Sequence, residues 1–377
     1  LNLKGEEMKK IFLLMSFLSL VMAHQIGLAM TPEQLVDSAQ IKVFNKDLNK
    51  VISEHYGAYF SAQTFKAFIE KNEKNKESKN HLLKVLSGQS SVVKNAKNLP
   101  LKIIVNMGLG WDAENYDIQM PHVKSFIDDI KTLGLEVIFL DKYPYAPIEQ
   151  NVDSIKPQLR QLLRDQNSKY ILMSLCKGTP ELVIAFAEIV KAHPEMKNNV
   201  VGFMNMSGML GGTFFSSNRL DIQAIIEIEK LIDRNLPGES FSKHDREQTI
   251  WSLPFVSPVA IAKNLKTVLD INLGSIPVVN VSGAIMSDKM SKRTSPLQMF
   301  LIYNRMMNLY SSANDGFIDV TDTHLPPSMF KNQRSIVLDA SHLLVDGFVD
   351  QYDLKIKENR LRFYRGVFEV LLMEINK

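Results

Sequence analysis

From Leu101 onward, short and almost uninterrupted apolar runs alternate with longer stretches in which apolar residues recur at helical spacing. The runs are KIIVNMG from Lys102, EVIFLD from Glu136, KYILMSL from Lys169, VVGFMNMSG from Val200, IPVVNVSG from Ile276 and SIVLDA from Ser335. Apolar on both faces and rich in Val and Ile, they predict buried strands. Strands of this kind separated by helices require a mostly parallel sheet covered on both sides. The first three gaps between runs have βαβ length. The last two are much longer, so extra chain is inserted after the fourth and fifth strands. The first insertion, at about 218–274, contains a helical stripe from Leu220 to Leu231, a polar stretch from Ser240 to Glu247, and the apolar segment Trp251 to Ala262. Its apolar residues, Phe255 and Val256 among them, predict a lid over the carboxyl edge of the sheet and an apolar substrate beneath it.

Upstream of the sheet the pattern is helical. Thr31-Pro32-Glu33-Gln34 combines a hydroxyl cap, a first-turn proline and a glutamine three residues past the cap, which marks a helix start. Ile41, Phe44, Leu48, Val51 and His55 continue at helical spacing, and a second amphipathic stretch follows around Thr64 to Ile69. The Lys- and Glu-rich segment Lys71 to Lys79 reads as an exposed face, and Ser87 to Pro100 as a linker. Residues 30–98 are therefore expected to form an accessory helical region packed on the main domain, 99–377. Further upstream, Lys9-Lys10 precedes the apolar run Ile11 to Ala23, with small residues at Ala23 and Ala29. That order predicts a signal peptide over 8–29 and export to the periplasm or the exterior, with no membrane-spanning segment after its removal.

Composition narrows the chemistry. The 377 residues are 45% hydrophobic and 23% charged, a globular balance, and 44 basic against 41 acidic residues leave +3, which argues against a nucleic-acid partner. One cysteine, Cys176, permits neither an internal disulfide nor a thiolate metal cluster. No Walker loop, G-x-G-x-x-G or metal motif is present, so neither cofactor nor metal is expected.

The single cysteine stands in the most informative stretch. A strand ending at Ser174-Leu175 is followed by Cys176-Lys177-Gly178 and then a helix from Pro180. This resembles the nucleophile elbow, G-x-S-x-G, of the α/β-hydrolase superfamily, with Ser174 in the first glycine slot, Cys176 in the nucleophile slot and Gly178 in the last. Asn314-Asp315-Gly316-Phe317-Ile318 resembles the acid loop of lipase-like members. Ala340-Ser341-His342-Leu343 follows the last predicted strand, where that superfamily carries its histidine, and Asn106-Met107-Gly108-Leu109-Gly110 resembles its H-G-x-G oxyanion loop. The resemblance covers about 101–347. It implies an α/β-hydrolase fold and a Cys176, His342, Asp315 triad, with the amides of Leu109 and Lys177 as oxyanion donors. Asp288 is the rival acid. His324 lies before the last strand and fits the order less well than His342. The departures are Cys176 for serine, Ser174 for glycine and Met107 for histidine. Lys177, in a variable slot, is either solvated or a group that depresses the thiol pKa.

The implied activity is an exported acyl hydrolase, esterase- or lipase-like, working on a small or lipid-like acyl substrate through an acyl-cysteine intermediate. Two alternatives stand beside it. One is an acyltransferase or polyester-synthase-like enzyme, since that branch also places cysteine at the elbow. The other is a relative without catalysis that acts as a binding protein.

Overall fold

The computed structural model describes residues 30–89, 101–110, 127–128, 131–132, 134–213, 252–286, 313–342, 348–354 and 356–375. The apolar run Ile11 to Ala23, the Leu220 to Leu231 stripe, the Ser240 to Glu247 stretch, Trp251, Asp288, His122, His244 and most of the proposed linker lie outside the described residues.

All six predicted strands form: β1 (Leu101–Asn106), β2 (Glu136–Phe139), β3 (Lys169–Leu175), β4 (Val200–Met206), β5 (Val278–Ala284) and β6 (Gln333–Asp339). They pair in the order β2-β1-β3-β4-β5-β6, every neighbour parallel. The two central strands carry the most apolar sequence because both of their faces are covered. A two-residue hairpin, Phe348–Val349 (β7) with Tyr352–Asp353 (β8), follows β6. Among the described residues no helix is long and apolar enough to cross a membrane.

Helices cover both faces. On one side α5 (Ile148–Leu163) presents Ile148, Val152, Ile155, Leu159 and Leu163 to the core, a spacing that places them on one helix face. Beside it lie α6 (Gly178–Ala192), buried along almost its whole length, and α7 (Pro258–Leu265). On the other side α8 (Lys357–Ile375) packs Phe363, Val367, Phe368 and Leu371 against Met204, Val279 and Ile336. Val256 belongs to the first of these cores and is fully buried. This corrects its assignment to a lid surface: the segment continues the helical layer, and only Phe255 of the two is exposed.

The described residues before β1 form helices α1 (Pro32–Ser38), α2 (Lys46–Tyr56), α3 (Ala58–Glu70) and α4 (Glu73–Leu86). The capping box at Thr31 is made in both directions: Gln34 N donates to Thr31 Oγ1 at 3.2 Å and Thr31 N to Gln34 Oε1 at 2.8 Å. Ile41 and Phe44 are buried but not helical, because Asn45 caps α2 by accepting from Leu48 N at 3.0 Å. The segment Lys71 to Lys79 has the exposed face that its charges predict, with Lys71, Glu73, Lys74, Lys76 and Glu77 exposed, and a buried side as well. Most of it belongs to α4, where Asn75, Ser78 and Lys79 are buried and Lys79 Nζ lies 3.0 Å from Glu70. The reason is Arg334 at the start of β6, which donates to Ser78 Oγ at 2.7 Å and to Lys74 O at 2.9 Å, and pairs with Glu374 of α8. Helices α1 to α3 pack against Ala284, Met286, Val320 and Val337. There Asn49 of α2 grips the backbone of Ala313: Nδ2 donates to its carbonyl at 3.3 Å and Oδ1 accepts its amide at 3.2 Å. The same Nδ2 also donates to Asp319 at 2.8 Å.

Candidate active site

The site begins where β3 ends. Cys176 has φ +50°, a left-handed conformation that costs a non-glycine residue ~1–3 kcal/mol and persists only where neighbours enforce it. They do so here. Cys176 N donates to Met206 O at 3.2 Å, and Cys176 O accepts from Thr179 N at 3.1 Å and Met209 N at 3.0 Å. The helix α6 starts at once, which turns the side chain out at the head of the sheet. Gly178 is required for space: a Cβ there would run into the backbone carbonyls of Asn106 and Met107. The chain has an α/β-hydrolase fold.

Ser174, in the slot where the resemblance has glycine, is buried, and its hydroxyl lies 2.9 Å from Thr179 Oγ1. Thr179 donates to Asn205 Oδ1 at 3.0 Å, and Asn205 donates to Asn280 Oδ1 at 2.8 Å. The serine therefore heads a buried polar chain that ties β3, α6, β4 and β5 together under the elbow.

His342 follows β6 and is buried. Its Nδ1 lies 2.7 Å from Asp315 Oδ2, and its amide donates to Asp315 O at 2.7 Å. Asp315 is fully buried, and its other oxygen accepts the amides of Phe317 at 2.9 Å and Ile318 at 2.8 Å. The Phe317 ring stands 5.3 Å from the imidazole. Burial by itself would lower the His342 pKa, but the Asp315 carboxylate and the Cys176 sulfur outweigh it and raise the value to about 10. The Cys176 thiol shows the reverse balance. Burial pushes it up, but His342 and the amide N–H groups of Lys177 and Leu109, all directed at the sulfur, bring it below its ordinary value. The opposite shifts both favour a thiolate beside a protonated imidazole, and the two groups titrate as a coupled pair.

The fold thus brings together Cys176, His342, Asp315, Leu109 and Lys177. The Lys177 side chain is fully buried rather than solvated, 3.1 Å from Glu181 and bonded to the Ala146 carbonyl. His324 is elsewhere: partly buried, 3.2 Å from Ser282 Oγ and packed on the ring of Phe65, with desolvation lowering its pKa to about 4. His81 pairs with Glu369 and His193 lies near Glu195, both away from the elbow. Sequence reasoning missed Lys142, Asn151 and Glu181, which are buried together behind the oxyanion loop. Their one local signal is the four-residue spacing of Lys177 and Glu181 in the first turn after the elbow. Among the described residues, no group of three or more His, Cys, Asp and Glu side chains is placed to hold a metal ion.

No known family model matches the sequence, and no curated protein is similar to it. Solved structures that resemble it include a metagenomic carboxyl esterase, 11% identical with a TM-score of 0.45 over 74% of this chain and 76% of that one. A Bacillus licheniformis lipase in its mature form is 14% identical, with a TM-score of 0.42 over 65% of this chain and 85% of the lipase. A monoacylglycerol lipase of Paleococcus ferrophilus is 13% identical, with a TM-score of 0.35 over 72% and 94% respectively.

Proposed function

We propose that the protein is an acyl hydrolase, esterase- or lipase-like, acting through Cys176, His342 and Asp315. The observation that carries this reading is the convergence of one imidazole and two backbone amides on the sulfur of a strained elbow. In the reaction the thiolate attacks the carbonyl carbon of an acyl ester, and the carbonyl π electrons move to oxygen. The Leu109 and Lys177 amides hold that oxyanion, a contribution of ~3 kcal/mol per donor. As the tetrahedral species collapses, the C–O bond to the alcohol breaks and His342 protonates the leaving alkoxide. His342 then takes a proton from water, whose oxygen attacks the thioester. The acid departs and the thiolate is regenerated. Asp315 keeps Nδ1 protonated and so leaves Nε2 to handle the moving proton.

The substrate is a small or lipid-like acyl ester. The order of Lys9-Lys10, the apolar run and the small residues at Ala23 and Ala29 supports export, which the mass of the mature amino terminus in a secreting host tests.

The activity is tested by incubating the protein with a panel of activated acyl esters and locating the adduct by mass spectrometry. The expected result is an acyl group on Cys176 that decays by hydrolysis and is absent from Cys176→Ala. Faster decay with an added amine or thiol acceptor would make the protein a transferase instead. No adduct with any ester would overturn the enzymatic reading in favour of a binding protein.

A further inference from the structure

Behind the oxyanion loop lies a group of buried charges that the chemistry above does not use. Lys142, just after β2, donates through Nζ to Glu181 Oε2 at 2.6 Å and to the Met107 carbonyl at 2.6 Å. The other Glu181 oxygen accepts from Asn151 Nδ2 of α5 at 2.7 Å and lies 3.1 Å from Lys177 Nζ. The side chains of Lys142, Lys177 and Glu181 are 0% exposed. Two lysines face one carboxylate, so with both amines protonated the cluster holds one positive charge in excess, away from water. A buried charge of this kind is expensive unless a counter-charge lies beside it.

The site supplies one. Lys177, whose side chain belongs to the cluster, follows Cys176 directly and turns its amide to the sulfur; with His342 and Asp315 offsetting each other, an ionised sulfur is the anion nearest the cluster. Burial depresses the Lys142 pKa while Glu181 and Cys176 push it back up, and Glu181 is held below the usual carboxylate range against its own burial by the two lysines. Lys142 also has a mechanical role. Met107 is two residues before Leu109, so the grip on the Met107 carbonyl fixes the short loop that presents the Leu109 amide to the sulfur.

We propose that the buried Lys142–Glu181–Lys177 cluster is the counter-charge of the Cys176 thiolate, and that Lys142 is a positioning residue that clamps the oxyanion loop through the Met107 carbonyl. The acylation part of this proposal rests on the hydrolase reading. The thiolate part does not.

Two variants of the full chain separate the roles. Lys142→Met removes one positive charge together with the clamp. Lys142→Met combined with Glu181→Gln removes the clamp but keeps the net charge of the cluster at its original value. Two readouts are followed: the pH dependence of Cys176 alkylation by iodoacetamide, and acylation by p-nitrophenyl acetate.

In Lys142→Met the alkylation midpoint is expected to rise by about one pH unit or more. In the double variant it should return close to the starting value while acylation stays down by about tenfold or more. An unmoved midpoint in Lys142→Met would overturn the counter-charge, and a double variant that acylates normally would overturn the clamp. If the unaltered protein accepts no acyl group, the hydrolase reading fails alone, because alkylation needs no substrate. Should Lys142→Met not fold, nitrogen NMR of the lysine side chains in the unaltered protein decides. Alkylating Cys176 removes the anion and should lower the Lys142 titration midpoint. No change there would sink the proposal.

Discussion

Gly283 is where a single methyl group should reach the site without touching it. The residue lies in β5, and a Cβ built on it would stand 2.5 Å from the Ser341 carbonyl oxygen and 2.7 Å from that of Ala340. Both belong to the turn that delivers His342, and backbone oxygens cannot swing aside like the end of a side chain. Clearing 3.0 Å requires the turn to retreat by at least about 0.5 Å, because repulsion rises steeply inside van der Waals contact. That displacement moves the imidazole relative to Cys176 while Asp315, held by Phe317 and Ile318, stays in place. Misplacement of a catalytic group by ~1 Å costs about 100-fold, so Gly283→Ala should lower kcat by roughly 10- to 100-fold with little change in KM. It should also destabilise the fold by ~1–3 kcal/mol through overpacking.

Gly202→Ala supplies the control. The atoms nearest a Cβ there belong to the Leu371 side chain, the first at 2.8 Å, on the face of β4 covered by α8. It should lower thermal stability to a similar degree and leave turnover within about twofold. The assay is steady-state hydrolysis of an activated ester beside iodoacetamide alkylation and a melting curve for both variants. Equal turnover in the two variants at equal stability loss would refute the argument that the Ala340–Ser341 turn sets the position of the histidine.

Three other outcomes can be measured directly. Asp315→Asn should bring the His342 pKa down from about 10 toward its ordinary value and let the thiol pKa rise. Alkylation at neutral pH then slows and ester turnover drops by about 10²–10⁴-fold, readable as a shifted pH profile. Asp322, 13% exposed, has its carboxyl raised to about 6 by burial, a cost that Lys46 at 2.5 Å only partly offsets. A raised carboxyl favours the fold while protonated, so its contribution is complete below the unfolded value of 3.8 and disappears as pH climbs through about 6. Asp322→Asn should therefore raise the melting temperature above pH 6, by up to ~3 kcal/mol of stability, and leave it unchanged near pH 3. Arg334→Met takes the guanidinium away from the buried Glu374 carboxylate and should cost ~3–5 kcal/mol in denaturant unfolding, part of it recovered by adding Glu374→Gln.

The sheet was legible because parallel strands covered on both faces need apolar residues without alternation, a pattern that KYILMSL and VVGFMNM carry with no tertiary help. The Thr31 cap was legible for the same reason, since all its partners lie within three residues. The exposed face of Lys71 to Lys79 was legible from its charges, but the burial of Ser78 within it was not, because that depends on Arg334, 256 residues away. Val256 was misread because an apolar residue in an insertion looks the same in a lid and in a core. At the site, the elbow and the chain order of Cys176, Asp315 and His342 were visible as motifs. Lys142 and Glu181 were not, since thirty-nine residues separate two charges whose meaning is their shared burial.

The grip of Asn49 on Ala313 bears on when the site can exist. The two residues are 264 positions apart, so helix α2 leaves the ribosome long before the segment it will brace. At about 5–20 residues per second that interval is tens of seconds. Throughout it Leu35, Ile52 and Phe65 await Ala284 and Val337, and the chain must keep an uncovered apolar surface from meeting other chains. Asp315 lies two residues past Ala313, on the segment that Asn49 braces. Helices α1 to α3 and strand β6 thus meet late, which makes this closure the natural checkpoint between a folded sheet and a braced acid loop.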